Sequence, residues 1–438
     1  MAKTNIYERI DNFNRTAPRQ PIPELLKMKY DLMRHTKDNT CHTKDNTENN
    51  PFVFFRGTCH LFYEDLDKYL TEKSWFAKAP LAWICGDLHI ENFGNFKADN
   101  RHVYFDINDF DEAVIAPLTW EIARVLTSIF VASATFKVVP ENATKLAEQL
   151  LDAYVTTLAQ GKTLWMGEDT APEVIADLLC RKKNVKRQDI LDNRTHFKDG
   201  ATKRSIKIDQ IGDQIDAKKP KALKISAPQK QKIADFMESF AAQQANPQFF
   251  KLLDVAQRVA GTGSLGVERY VVLIEGNGSP DGNYLLDLKR ALPSALAPYL
   301  AGVHKNGHSF WHNEAERIVQ IQQRAQAIPI AFLQAVTIGT DSFILRELQS
   351  TKSPTDCLKI KKWDDDLAEA MALMKALGQV VAWSHLRSSG RQGAAIADEL
   401  IDFAAKSKWK IEVMEYAQKY AQQVDQDWRE FCQESKSR

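Results

Sequence analysis

The chain has 438 residues, 44% of them hydrophobic and 26% charged, which is the balance of a folded protein and excludes a disordered one. Its formal net charge of +1 excludes a strong global pull toward nucleic acid or an acidic membrane surface, and no apolar run approaches the roughly 20 residues that a membrane-spanning helix needs. The six cysteines form no C-x-x-C pair and the start lacks the apolar core of a secretion signal, so a reducing, cytoplasmic setting is expected.

In chain order, residues 1–80 read as an N-terminal extension. It holds a proline-spaced stretch (Pro18, Pro21, Pro23), a short helical pattern over 24–34 and a duplicated His-Thr-Lys-Asp-Asn-Thr segment at 35–47, which is polar and reads as a loop. From Phe52 the chain turns apolar and aromatic. Residues 81–85 predict a buried strand that runs into Gly86-Asp87-Leu88-His89-Ile90-Glu91-Asn92. A second strand, 102–106, ends in Ile107-Asn108-Asp109-Phe110-Asp111. Apolar residues at helical spacing predict helices over 118–137 and 141–160. Residues 181–232, where Lys and Arg far outnumber Asp, read as a solvated, partly mobile insertion. The stretch lacks a series of aromatic platforms on which bases could stack, so nucleic acid is not an expected partner. A helix over 229–244 then precedes a strand at 255–260, the turn Gly261-Thr262-Gly263-Ser264-Leu265-Gly266, a strand at 267–274, a turn at 276–283 and a strand ending at Lys289. The remainder is predicted helical, apart from a strand at 342–348 and a turn-rich break at 350–356.

A G-x-G-x-x-G turn serves both dinucleotide-binding folds and kinases. The former need a helix directly after the glycines. Here a β-branched strand follows, and strand, glycine turn, strand, hairpin and lysine-bearing strand is the kinase arrangement. Gly261, Gly263, Ser264 and Gly266 would let backbone lie over phosphates, with Lys289 as a point charge beneath them. Phosphoryl transfer also needs a carboxylate to orient the acceptor hydroxyl and oxygen ligands for magnesium. Asp87 and Asn92 have the spacing of the base and the metal-binding Asn in a kinase catalytic loop, and either Asp106 or Asp109 offers a further metal ligand.

Gly86-Asp87-Leu88-His89-x-x-Asn92 resembles the catalytic loop of aminoglycoside phosphotransferases and choline kinases. Asp106-Ile107-Asn108-Asp109-Phe110-Asp111 resembles their metal-binding segment, and Trp120-Glu121-Ile122-Ala123-Arg124 is similar to the helix that buttresses their catalytic loop. Over most of 50–395, with Arg56-Gly57 ahead of that loop, the chain resembles an uncharacterised bacterial family of the protein-kinase-like superfamily. The resemblance implies an α+β, two-lobed, circularly permuted fold, because the glycine loop and Lys289 follow the catalytic loop. Next come a helical stretch around 314–324, with Glu316 the candidate partner of Lys289, a strand suited to a hinge that carries Arg346, and a helix ending at His385 like the one that feeds the catalytic loop. The cyclic order of parts is kept and only the cut has moved.

In this scheme residues 81–250 and 356–438 form the helical lobe and 251–355 the nucleotide-covering sheet. It implies ATP and Mg2+ as cofactors, Asp87 and Lys289 as catalytic residues, and the glycine loop with Lys289 as the phosphate cradle. Arg346 and Arg56 are candidates either for phosphate binding or for structural ion pairs, and His385 is expected on a packing surface. The implied acceptor is a small-molecule hydroxyl in preference to a protein, with no membrane partner. Two alternatives stay open: a nucleotide-binding pseudokinase acting as a regulatory module, and a metal-dependent phosphoesterase, suggested by Asp87-Leu88-His89.

Overall fold

The computed structural model describes residues 5–16, 50–71, 74–198, 200, 202–211, 214–215, 221–261, 263–264, 266–300, 310–349 and 362–437. The proline-spaced stretch, the helical pattern over 24–34, the duplicated segment at 35–47 and the break at 350–356 lie outside these residues. The mixed helix and sheet content is the α+β class expected. Among the described residues no helix is long and apolar enough to cross a membrane.

Helix α1 (Ile6–Thr16) is followed by α2 (Pro51–Gly57) and α3 (Cys59–Tyr69). These last two are not an extension. Phe52, Phe54, Phe55, Phe62 and Tyr63 are among the most deeply buried side chains of the main core. An aromatic-rich run of this kind is stabilised only by burial, and it finds that burial here. Strand β1 (Leu81–Ile84) pairs antiparallel with β4 (Val114–Pro117), and between them β2 (Phe93–Lys97) and β3 (Val103–Ile107) form a hairpin joined by β5 (Met166–Gly167).

Helices α4 (Leu118–Phe136) and α5 (Pro140–Gln160) follow at the predicted places. Near the end of the chain come α10 (Leu367–Ser388), α11 (Ala397–Ala404) and the long α12 (Lys408–Ser437), which pack with them around one large core. α10 crosses α5 so closely that a Cβ on Gly378 would overlap the Leu150 carbonyl oxygen. Gly378→Ala is therefore expected to destabilise the fold by about 1–3 kcal/mol through overpacking. A urea-unfolding midpoint equal to that of the wild type would show that the two helices can separate without loss.

The basic stretch departs from expectation. It folds into α6 (Glu173–Lys183), α7 (Arg187–Arg194), the hairpin of β6 (Thr195–Lys198) and β7 (Lys203–Ile206), a short ribbon of β8 (Gln210–Ile211) and β9 (Gln214–Ile215), and the edge strand β10 (Ala222–Leu223). Helix α8 (Ala227–Ala242) leads to β11 (Leu252–Arg258), β12 (Arg269–Ile274) and β13 (Tyr284–Arg290); α9 (Glu314–Ala325) then precedes β14 (Gln334–Ile338) and β15 (Asp341–Glu347). The six strands form an antiparallel sheet in the order β10-β11-β12-β13-β15-β14. Period-two alternation divides its residues. Tyr270, Val272 and Ile274 face α8 through Ile233, Met237 and Phe240. Val271 and Leu273 face the other way, onto Leu191, Ile206 and Ala222 of the basic stretch. The insertion thus covers the second face of the sheet, because a sheet apolar on both faces needs two layers over it. The sheet unit accordingly draws on residues well before 251.

One buried charged row crosses this sheet. Asp287 on β13 accepts from Arg269 Nε at 2.7 Å and Arg269 Nη2 at 2.6 Å, pairs with Arg258 at 2.7 Å, and meets Arg346 Nε at 3.3 Å. The arginines hold its carboxyl well below the usual range against the opposing effect of burial. Arg258 is brought down to about 9, first by burial and then by the like charge of Arg269.

Candidate active site

A cavity of about 460 Å³ opens between the sheet and the helical body. Its wall brings together Asp87, His89, Asp109, Asp111, Gly261, Gly263, Ser264 and Lys289, from segments some two hundred positions apart. Lys289 is only 4% exposed. Its ammonium is paired with the Asp111 carboxylate and donates to Ser264 Oγ at 2.7 Å, while Ser264 Oγ donates to Asp111 at 3.3 Å. The glycine loop is thereby tied to the loop that follows β3. Phe110 is buried in the core, which leaves Asp109 and Asp111, its neighbours on either side, to line the cavity.

The loop bearing Asp87 is fixed from three directions. Gly86 has φ +80°, and a Cβ there would overlap the Glu112 carbonyl oxygen, so no side chain can precede Asp87. Its own carbonyl accepts from the Tyr63 hydroxyl. Beneath the loop, Glu121 on α4 accepts from the Cys85 and Gly86 N–H groups at 2.6 and 3.4 Å, and its other oxygen meets His385 Nε2 at 2.7 Å. Burial first, and then Glu121, push the Tyr154 hydroxyl well above its ordinary value. It stays protonated and meets His385 Nδ1 at 2.9 Å, on the opposite side of the ring from Glu121. Third, Asn92 donates to the carbonyls of Asp87 and Asp109 at 3.0 Å each and accepts from the Asp109 N–H at 2.8 Å.

Asp87 itself is gripped by Arg124, whose Nε donates to it at 2.8 Å and whose Nη2 also pairs with it. The guanidinium has 0% exposure and lies over the Phe55 ring at 4.3 Å. Burial raises Asp87 above an ordinary aspartate, and Arg124 offsets part of that rise. His89 is driven far down, mainly by burial and then by Arg56 and Arg124, so the ring is neutral. Its Nδ1 accepts from the Glu91 N–H at 3.2 Å.

The chain matches, over residues 41–434, a family model described as an uncharacterised protein conserved in bacteria (DUF2252). It belongs to the DUF2252 family. No curated protein and no solved structure matches it.

In this DUF2252 protein several predicted site residues lie elsewhere than expected. Asp106 is turned away from the cavity: it accepts from the Ile107 and Ala327 N–H groups at 2.9 and 3.1 Å and from Arg387 at 3.2 Å. Of the two candidates only Asp109 lines the cavity. Asn92 sits behind the cavity wall as the tie between two loops. Arg346 is the third arginine around the buried Asp287, its Nε at 3.3 Å, and it is not in the lining. Gly266 stands just outside the lining, whereas Gly261, Gly263 and Ser264 are in it. Glu316 caps the start of α9, accepting from the His312 N–H at 3.0 Å, and Asp111 takes the role foreseen for it as partner of Lys289.

The neighbour of Glu316, Arg317, is what α9 sends to the site. It donates to the Ala113 carbonyl, to that of Asp111 at 3.2 Å and to that of Leu292 at 2.9 Å. Sequence reading missed the roles of Arg124, Arg317 and Asp111. Asp111 was findable, because a lysine in a buried strand needs a carboxylate and the run Asp109-Phe110-Asp111 offers two. Among the described residues no three His, Cys, Asp or Glu side chains converge as a metal-binding cluster.

Proposed function

We propose that this protein is an ATP- and magnesium-dependent phosphotransferase with a two-lobed, kinase-like arrangement in circularly permuted order, acting on a hydroxyl of a small molecule. The observation that carries the reading is the single cavity in which Asp87, Asp109, the glycine loop and Lys289 meet. The sheet order adds support: the lysine strand β13 lies between β12 and β15, and the helix α9 intervenes between β13 and β14 in the chain. A volume of about 460 Å³ suits a small-molecule site.

Magnesium-ATP, when bound, would supply the transferable phosphoryl group and neutralise its charge. The donor set fits such a group. Magnesium takes one or two carboxylates together with waters and phosphate oxygens, so it needs no dense protein cluster, and Asp109 and Asp111 line the cavity beside Lys289. Lys289 and the glycine loop would hold phosphate oxygens. Asp87, clamped by Arg124, orients the acceptor hydroxyl and takes its proton. An aspartate so clamped is a modest base, which suffices for a loose transition state that depends mostly on positioning and charge. The same clamp favours a second reading, a nucleotide-binding module without turnover.

A thermal-shift titration with magnesium-ATP tests the binding half of the proposal. Saturation at a hundredfold above Kd is expected to stabilise the wild type by about 2.7 kcal/mol, and Lys289→Met is expected to abolish most of that gain. An identical shift in the variant, or none in the wild type, refutes nucleotide binding at this cavity. Binding without turnover of any offered hydroxyl compound would favour the module reading.

A further inference from the structure

A second cavity, of about 290 Å³, shares no lining residue with the first. Its walls come from separate parts of the fold: Lys97 and Arg101 from the β2–β3 hairpin, Lys182 from the end of α6, Arg187 from the start of α7, Tyr284 from β13 and Glu347 from β15. Four cations thus surround one carboxylate. One guanidinium nitrogen of Arg101, Nη1, donates to both carboxylate oxygens of Glu347, at 3.1 and 2.8 Å. Arg187 lies over the Tyr284 ring at 4.3 Å, and Arg101 approaches the same ring at 5.7 Å. The Gln349 amide fixes the remaining wall, accepting from the Lys97 N–H at 3.1 Å and donating to its carbonyl at 3.2 Å.

Like charges held around a partly enclosed space repel one another, and low-dielectric walls strengthen the effect. Lys182 registers this. It is only 6% exposed, and burial followed by the charge of Lys97 brings its ammonium down to about 8. A bound anion would offset the excess of four cations over one carboxylate in the lining. Two forked guanidiniums and two ammonium groups are the donors that recognise phosphate oxygens. The volume lies just under the range of whole drug-sized ligands, which suits a phosphate-bearing group better than an entire nucleotide. A partly enclosed pocket of this volume fits a small molecule, whereas a nucleic-acid backbone would call for an extended groove.

We propose that this cavity is a binding site for a small polyanion of the phosphate-ester or pyrophosphate class, held by Lys97, Arg101, Lys182 and Arg187. The basic stretch that the active cavity leaves unused contributes two of these four groups. Its walls join the sheet to the helical body, so an occupant would touch both.

Calorimetric titration of the full chain with inorganic pyrophosphate, in chelator and without magnesium, tests the proposal. Wild type and Lys289→Met are expected to bind equally, and the double variant K182M/R187Q about tenfold or more weaker, with affinity falling as salt rises. Arg187 is solvent-exposed, so R187Q alone is expected to fold and to show a smaller loss in the same direction. Absence of binding to the wild type overturns the site, as does binding by K182M/R187Q as tight as that of the wild type. Loss of binding in Lys289→Met alone would place the anion in the first cavity and overturn it too. Because the two cavities share no residue, this result and the magnesium-ATP result stand or fall separately.

Discussion

Asp87→Asn is expected to lower phosphoryl transfer from ATP by about 10²–10⁴-fold, the usual contribution of a positioned acid–base group. The amide is the informative replacement. It keeps an oxygen for Arg124 and fills the same space, whereas alanine would leave a fully buried guanidinium facing an emptied position. The magnesium-ATP thermal shift is expected to persist in Asp87→Asn, because the lysine and glycine loop are untouched. Turnover equal to that of the wild type would remove Asp87 from the chemistry.

The pH profile carries a second signature of the same residue. Burial raises Asp87 above an ordinary aspartate, with Arg124 acting against the rise. A base that must be ionised loses activity as pH falls through its pKa. The acid limb of kcat/KM is therefore expected above the usual aspartate range near 3.9. Weakening the clamp with Arg124→Lys removes forked donors and is expected to move that limb higher still.

Asp287→Ala is expected to destabilise the protein by about 3–5 kcal/mol, the largest stability effect among these substitutions. Two terms compete at this site. Removing a buried carboxylate recovers its desolvation penalty, but it strips the counter-charge from Arg258, Arg269 and Arg346 on three neighbouring strands. The second term wins, because Arg258 and Arg269 are nearly as buried as the carboxylate and cannot reach water without opening the sheet. Against a typical total of about 5–15 kcal/mol, such a loss leaves little margin. Urea unfolding measures it, and a midpoint close to that of the wild type would mean that the arginines relax into solvent. Since the folded pKa of Asp287 is depressed, its stabilisation is present above the unfolded value of about 3.9 and is lost as pH falls through the folded one.

Local pattern alone placed β11, β12, β13 and β15 of the large sheet, the two helices after β4, the glycine turn and Lys289. Each of those rests on a periodicity or a turn chemistry that short stretches of backbone impose by themselves. Local pattern missed the two edge strands β10 and β14, the latter lying in a stretch expected to be helical. The Asp87 loop and the Asp109 segment were likewise legible, through spacing and resemblance. Tertiary structure alone decided which charge meets which: Asp111 and not Glu316 for Lys289, Arg124 for Asp87, Asp287 for Arg346, and Asp109 over Asp106 at the cavity. It also decided that the aromatic run after Phe52 belongs to the core and that the basic stretch covers a sheet face. Such choices are set by burial and charge compensation between side chains far apart in the chain, and no local periodicity encodes a partner two hundred residues away.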